Sequence, residues 1–397
     1  MDRADIVMIG GGLASAAAAE NYRKAGGTGS VLLISQDRDA PVHRPPLSKE
    51  YLRGDEDRAK VFVHPPAFYA DNQIDLRLGT RVERIDLDRK EVYPQTGEPI
   101  AFGTLVLATG ARPRSLPVPG GDLPGVFYLR SLASSERLQA AYRAAQRAVV
   151  IGAGFIGMEV AATLTQSGVG VTVVEMGSRV WPQIVPPVVS DFIARFYADK
   201  GVQFRFGRTV HSIEGNGRAE RVRLDGGEIL EADLVVAGVG AVLNSELAAA
   251  AGLEVNRGVV VDTSFAASHP DVYAIGDIAS FPDPRAGRIH LEHWDNALNQ
   301  GRALGQTLAG QGTPFDHVAY FFSDMFDLSL NMLGYPDPAD EIAVRGNPAD
   351  GRFTTLYLRD GRLRAVLMLN DDAEFDSWSN LIGQEYDPNR QPVAEAS

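Results

Sequence analysis

The chain has 397 residues, 45% of them hydrophobic and 22% charged, with a formal net charge of −13. That balance suits a soluble chain of two or three domains and repels nucleic-acid phosphates and anionic membranes, so neither is an expected partner. Cysteine is absent, which excludes disulfides, thiolate metal sites, cysteine-ligated iron–sulfur clusters and thiol–disulfide exchange.

The N-terminus enters an apolar run almost at once, with no basic segment followed by an apolar one, so no signal peptide is expected. The run Ile6–Ile9 is short and wholly apolar, as in a strand buried on both faces. It leads into Gly10-Gly11-Gly12-Leu13-Ala14-Ser15, an Ala-rich helix ending at Gly26-Gly27, and a second buried strand over 30–35. Strand, glycine turn, helix and strand make a βαβ unit.

The order recurs over 147–175. There Gly152-x-Gly154-Phe155-Ile156-Gly157 follows a strand and opens a helix, and Glu175 ends the next strand. The glycines permit a tight turn, close approach of backbone to a pyrophosphate and close helix–strand packing. Free N–H groups at the helix start suit phosphate. A carboxylate at Glu175 accepts ribose hydroxyls and repels a 2′-phosphate, which favours NADH over NADPH. The apolar stretch Ala148–Leu164 is interrupted by Gly152, Gly154, Gly157 and Glu159, which does not fit a membrane span. The first copy departs from this pattern twice, with Ser15 at the third glycine and Gln36 where an acid would meet a ribose.

Two such units predict two dinucleotides, a nicotinamide that delivers hydride and a flavin that accepts it. Three further strands end in polar or glycine turns: Leu105–Ala108 before Thr109-Gly110, the strand before Gly238 and Gly240, and Val272–Ile275 before Gly276-Asp277. Asp277 stands at the carboxyl edge of a sheet, where ligands bind, and an N-cap role is its alternative. In "HRPPLSKEYL" (43–52) a helix is expected to begin near Ser48, which places Lys49 in its first turn. The macrodipole disfavours a cation there.

Taken in order, these motifs resemble the FAD-dependent pyridine-nucleotide reductases of the ferredoxin/rubredoxin reductase and apoptosis-inducing-factor type. "RPPLSK" (44–49), "ATG" (108–110), the second glycine motif with Glu159, "YAIGD" (273–277), "EHWDNA" (292–297) and "YFFSDMFDLSLNMLG" (320–334) carry the resemblance across the whole chain. It implies an α/β fold with two Rossmann-like dinucleotide-binding domains and a small α+β C-terminal domain. It also implies that Gly10, Gly12 and the residues after them, Leu13, Ala14 and Ser15, take the FAD pyrophosphate, and that Arg44 and Pro45 lie against FAD. Gln36, Val82, Thr109, Gly110, Arg112, Arg130, Gly240 and Gly276 join that site, and Asp277 holds the ribityl chain. Gly152, Gly154, Phe155, Ile156, Gly157 and Glu175 would bind NADH. Lys49 would reach toward flavin N5 and pair with Glu159, and Trp294 would stand beside the flavin or the nicotinamide.

The resemblance divides the chain into an FAD domain of 1–114 and 242–315, an NADH domain of 115–241 and a C-terminal domain of 316–397. Over 352–370 two strands are expected around an Asp360-Gly361 turn, with one face solvated. The tail of "EYDPNRQPVAEAS" is expected to be disordered at its end. His290 and His293 have the spacing of a helical zinc pair, but no third ligand is evident and no metal is expected. Trp378 reads equally as core or as flavin-site wall. Arg137, Arg143 and Arg147 are expected on one surface helix, a solvated face or a docking patch for an acidic ferredoxin.

The function expected is a cytoplasmic NADH oxidoreductase, monomeric or dimeric, that passes electrons from its flavin to a ferredoxin-type protein or a quinone. The alternative is a redox sensor like apoptosis-inducing factor, with slow turnover and an NADH-dependent change in shape or dimerisation.

Overall fold

The computed structural model describes residues 2–387, so the expectation for the end of the tail falls outside the described residues. The chain forms two compact units. One takes residues up to 116, 127–144 and 238–317; the other takes 117–126, 145–237 and the segment from 318 onward.

The first unit is built on β1 (Arg3–Ile9), β2 (Val31–Ile34), β3 (Ile74–Arg77), β4 (Val82–Asp86), β5 (Glu91–Pro94) and β6 (Ile100–Leu107). Their order is β3-β2-β1-β6-β5-β4, and the strand Val272–Ala274 lies parallel on the second half of β6. The central strands β1 and β2 are buried on both faces, as their wholly apolar runs suit: Val7, Met8, Leu32 and Leu33 are all buried. Helix α1 (Leu13–Lys24) packs closely on the helix Trp294–Leu308. The alanines of α1 make this approach possible, as do Gly301 and Gly305 on its neighbour. A Cβ at Gly301 would strike the Ala14 carbonyl, and one at Gly305 the Ala18 carbonyl.

The lysine segment also belongs to this unit. Pro45–Ser48 forms a single 3-10 turn and Glu50–Arg53 a short helix, with Lys49 between them. Lys49 therefore precedes the first helical turn rather than lying in it, and the expected helix start at Ser48 moves to Glu50. The helix Leu132–Tyr142, opened by a Ser131/Ser134 capping box, holds the segment down. Ser135 Oγ donates to the Leu47 carbonyl at 2.8 Å and Tyr142 Oη to the Leu52 carbonyl at 2.7 Å. Arg143 caps that helix and Arg147 opens the strand Arg147–Ile151, so only Arg137 of the three arginines lies within a helix.

In the second unit the strands Gln203–Phe206, Gly170–Glu175, Arg147–Ile151 and Leu234–Ala237 form a parallel sheet in that order. The helix Phe155–Gln166 makes the crossover between Arg147–Ile151 and Gly170–Glu175. From residue 320 the chain turns wholly antiparallel: Tyr320–Met325, Leu328–Gly334, Arg362–Leu369, Arg352–Arg359 and Glu341–Asn347, in sheet order. The helix Phe375–Leu381 covers one face, where Trp378 packs among Leu333, Leu356, Leu363 and Met368. Trp378 is thus a core residue of this segment. The opposite face is not solvated, contrary to expectation. Tyr357 Oη donates to the Ile184 carbonyl at 2.6 Å and Phe353 meets Phe192 edge to face at 5.7 Å, so both sides of the hairpin are buried. No helix among the described residues is long and apolar enough to cross a membrane.

Candidate functional site

The first unit gathers an electropositive cradle at the carboxyl edge of its sheet. Gly10 has φ +125°, and a Cβ there would strike the Ala108 carbonyl, so glycine is required where β1 passes into α1. Gly12 is the N-cap of α1 and supplies no side chain, which leaves first-turn N–H groups open to an anion. Leu13, Ala14 and Ser15 are buried in that first turn, and Ser15 Oγ has no hydrogen-bond partner among the described residues.

Two arginines face this region. Arg44 Nη1 donates to the Arg130 carbonyl, and Arg130 Nη2 pairs with Asp277 Oδ2 at 2.5 Å. Burial and the neighbouring Arg130 charge pull the Arg44 pKa down to about 10, against the pull of Asp277 and Asp37. Arg130 Nε is buried without a partner among the described residues. Two guanidiniums with an orphaned donor, beside an uncapped helix start, fit an anionic group such as a dinucleotide pyrophosphate.

Asp277 sits in the 3-10 turn Gly276–Ile278 rather than before a longer helix. Gly276, at φ +74°, donates its N–H to Gln300 Oε1 at 2.8 Å, and Gln300 Nε2 in turn donates to Asn296 Oδ1 at 3.1 Å. This buried amide pair is spaced i, i+4 on one helix. Asn296 falls in "EHWDNA", but Gln300 lies beyond every motif read from the sequence.

Asn244 joins the ends of two strands: its Nδ2 donates to the Thr109 carbonyl and its N–H to the Gly110 carbonyl. Arg112 is half exposed and bonds Asn244 and Glu246, which commits its guanidinium to the protein. Gly240, at φ +99°, accepts the Arg114 N–H. Val82 is buried at the start of β4, Pro45 opens the 3-10 turn and Gln36 is exposed beyond β2.

Lys49 is 3% exposed. Trp294 opens its helix and donates Nε1–H to His43 Nδ1 at 3.0 Å, which makes the imidazole the acceptor and fixes its tautomer. Burial, together with His64, holds the His43 pKa below its usual 6.5, consistent with that neutral role. His290 lies outside the helix and His293 is its N-cap, so the two are not one helical turn apart on a helix face. Burial draws the His293 pKa down to about 4, against Asp277, Asp295 and Glu292.

The second unit repeats the cradle with a carboxylate. Gly152 has φ +99°, Gly154 is an N-cap without a side chain, and a Cβ at Gly157 would strike the Gly152 carbonyl. Glu175 is drawn to this turn: Oε2 accepts the Ala153 N–H at 2.7 Å and Oε1 the Gly177 N–H at 2.6 Å. Two backbone donors fix the carboxylate beside the helix start, and each oxygen retains a lone pair for a ribose hydroxyl. Ile156 is exposed on the turn, while Phe155 packs between Trp181 (4.6 Å) and Phe321 (4.3 Å). One helical turn on, Glu159 is buried, and its Oε1 accepts the Ser323 hydroxyl at 2.6 Å.

Two glycine-turn cradles, one flanked by arginines and one by a carboxylate, define an α/β oxidoreductase that handles two dinucleotides. The chain belongs to the pyridine nucleotide-disulphide oxidoreductase family, whose model matches residues 4–301, and a reductase C-terminal model matches 320–397. It is 40% identical over 382 residues to rhodocoxin reductase of Rhodococcus erythropolis, covering 96% of this chain and 90% of that protein. It is 36% identical over 411 residues to a putidaredoxin reductase of Pseudomonas putida, covering 99% and 97%. The putidaredoxin reductase in its covalent putidaredoxin complex superposes with a TM-score of 0.93 at 35% identity, covering 97% of this chain and 93% of that one. Enzymes of this kind use FAD and NAD(H). The disulphide of the family description has no counterpart in a chain without cysteine.

Proposed function

We propose that this protein is an NADH-dependent FAD reductase that delivers electrons one at a time to a small iron–sulfur carrier of the ferredoxin type. The observation that supports it most is the pairing of an arginine-flanked cradle in one unit with a carboxylate-flanked cradle in the other. When bound, FAD supplies the chemistry that side chains lack, accepting two electrons as hydride and releasing them singly. Gly10, Gly12, Arg44, Arg130 and Asp277 hold its polar chain, and Val82 and Pro45 line its path. Gly152, Gly154, Gly157 and Glu175 hold NADH, and Glu175 disfavours a 2′-phosphate. Trp294, oriented by His43, walls the reacting end.

Lys49 supplies a buried positive charge where reduction adds negative charge, and Glu159 is its counter-ion. A buried cation is costly without such a partner. Catalysis then rests on positioning and fixed charge. The similar proteins are reductases by name, which favours the reductase over the redox sensor. Under this reading the protein works in the cytoplasm, where NADH is regenerated.

The acceptor is tested by steady-state NADH oxidation against a [2Fe–2S] ferredoxin, a rubredoxin, a quinone and oxygen. Turnover should be fastest with an iron–sulfur carrier. Turnover that is slow with every acceptor, joined to an NADH-dependent change in oligomer size, would favour the sensor.

A further inference from the structure

Ser323 lies far from either glycine turn in sequence, yet it is wholly buried against the helix that the second turn opens. Its hydroxyl donates to Glu159 Oε1 at 2.6 Å, and the carboxylate is itself only 4% exposed. The contact is one of two in register. On the helix Phe155–Gln166, Phe155 and Glu159 stand one turn apart, about 6 Å along the axis. On the strand Tyr320–Met325, Phe321 and Ser323 share a face about 6.6 Å apart. The matched spacings bring Phe321 against Phe155 at 4.3 Å and Ser323 against Glu159.

We infer that Ser323 is a positioning residue for the reaction: the antiparallel C-terminal segment sets the rotamer of Glu159 through this hydroxyl. The inference rests on the counter-ion role of Glu159 proposed above. A hydroxyl can donate one proton, and here it is spent on Oε1, which ties one carboxylate oxygen to the strand. Tyr197, whose ionisation is opposed by burial and by the Glu159 charge, spends its own hydroxyl on the Met158 carbonyl at 3.1 Å. It does not substitute for Ser323. A hydrogen bond to a buried carboxylate strengthens in low dielectric, so losing it removes a restraint on the Glu159 rotamer.

The test is a double-mutant cycle on the FAD-loaded enzyme with Ser323→Ala, Glu159→Gln and their combination. Anaerobic flavin bleaching by NADH gives the limiting reduction rate and the NADH dissociation constant separately. Ser323→Ala should slow reduction about tenfold, the scale of one charge-assisted hydrogen bond, with NADH affinity within about twofold. Ser323→Thr, which keeps the hydroxyl, should recover most of the rate. The combined variant should be no slower than Glu159→Gln alone.

Parent-like reduction in Ser323→Ala beside a slow Glu159→Gln would overturn the positioning role while leaving Glu159 its own. Multiplied effects in the combined variant would do the same. Parent-like reduction in Glu159→Gln would instead remove the counter-ion reading, and the inference with it.

Discussion

Lys49 leaves only 3% of its surface to solvent, at the joint between a 3-10 turn and a short helix. It is the N-cap of a helix of only four residues, whose dipole is small, and also the C-cap of the 3-10 turn before it, so the conflict with the macrodipole that the sequence implied is weak. What remains is a buried ammonium, which a protein retains only with a charge or ligand to answer it. Lys49→Met keeps the volume and removes the charge. Anaerobic reduction by NADH should slow at least tenfold in that variant, with flavin still bound. A parent-like rate would take Lys49 out of the reaction.

The local geometry legible in the sequence was that held by short, fixed spacing: the turn at Gly152, Gly154 and Gly157, Glu175 drawn to it, and Asp277 after its strand. The partners that orient the candidate site were not legible. Arg130 and Asp277 are 147 positions apart, Ser323 and Glu159 are 164 apart, and Trp294 and His43 are 251 apart. No local pattern encodes such pairs; the packing of distant elements creates them.

At the scale of elements, local rules worked where the backbone alone decides. Asp360 and Gly361 both have positive φ, 51° and 72°, as a two-residue hairpin turn between Arg352–Arg359 and Arg362–Leu369 requires. The solvated face expected for that hairpin failed because burial depends on neighbours. Phe353 and Tyr357 on one side are covered by Phe192 and Ile184, while Leu356 on the other lies in the Trp378 core. Alternation of Thr and Tyr with aliphatic residues described a strand but not its surroundings.

Under the proposed function, the Gly152–Gly157 turn is the element whose geometry sets NADH affinity. A side chain at Gly157 would meet the Gly152 carbonyl backbone, which cannot yield as a flexible side chain can. Gly157→Val should therefore displace the helix and cost about 1–3 kcal/mol in packing. NADH binding should weaken by about tenfold or more in a titration, with FAD content unchanged. Loss of FAD from this variant would mean that the two cradles are not separate sites.

At the scale of the whole molecule, two dinucleotide units in one chain were legible because each repeats strand, glycine turn, helix and strand. Their borders were less so. The helix Leu132–Tyr142 follows a Pro/Gly-rich crossover in sequence, yet it groups with the first unit through Ser135 and Tyr142. Nothing in its composition separates a helix that packs backward along the chain from one that packs forward. The segment after residue 318 likewise groups with the second unit and supplies Ser323 to it.

The central claim is that NADH, held at the Glu175 cradle, reduces the flavin held at the Arg44–Arg130–Asp277 cradle. Anaerobic stopped-flow mixing of the FAD-loaded protein with NADH or NADPH tests it most directly. The account predicts rapid flavin bleaching by NADH and much slower bleaching by NADPH. An absorbance trace that does not change with NADH would contradict the account, and faster reduction by NADPH would contradict the role given to Glu175.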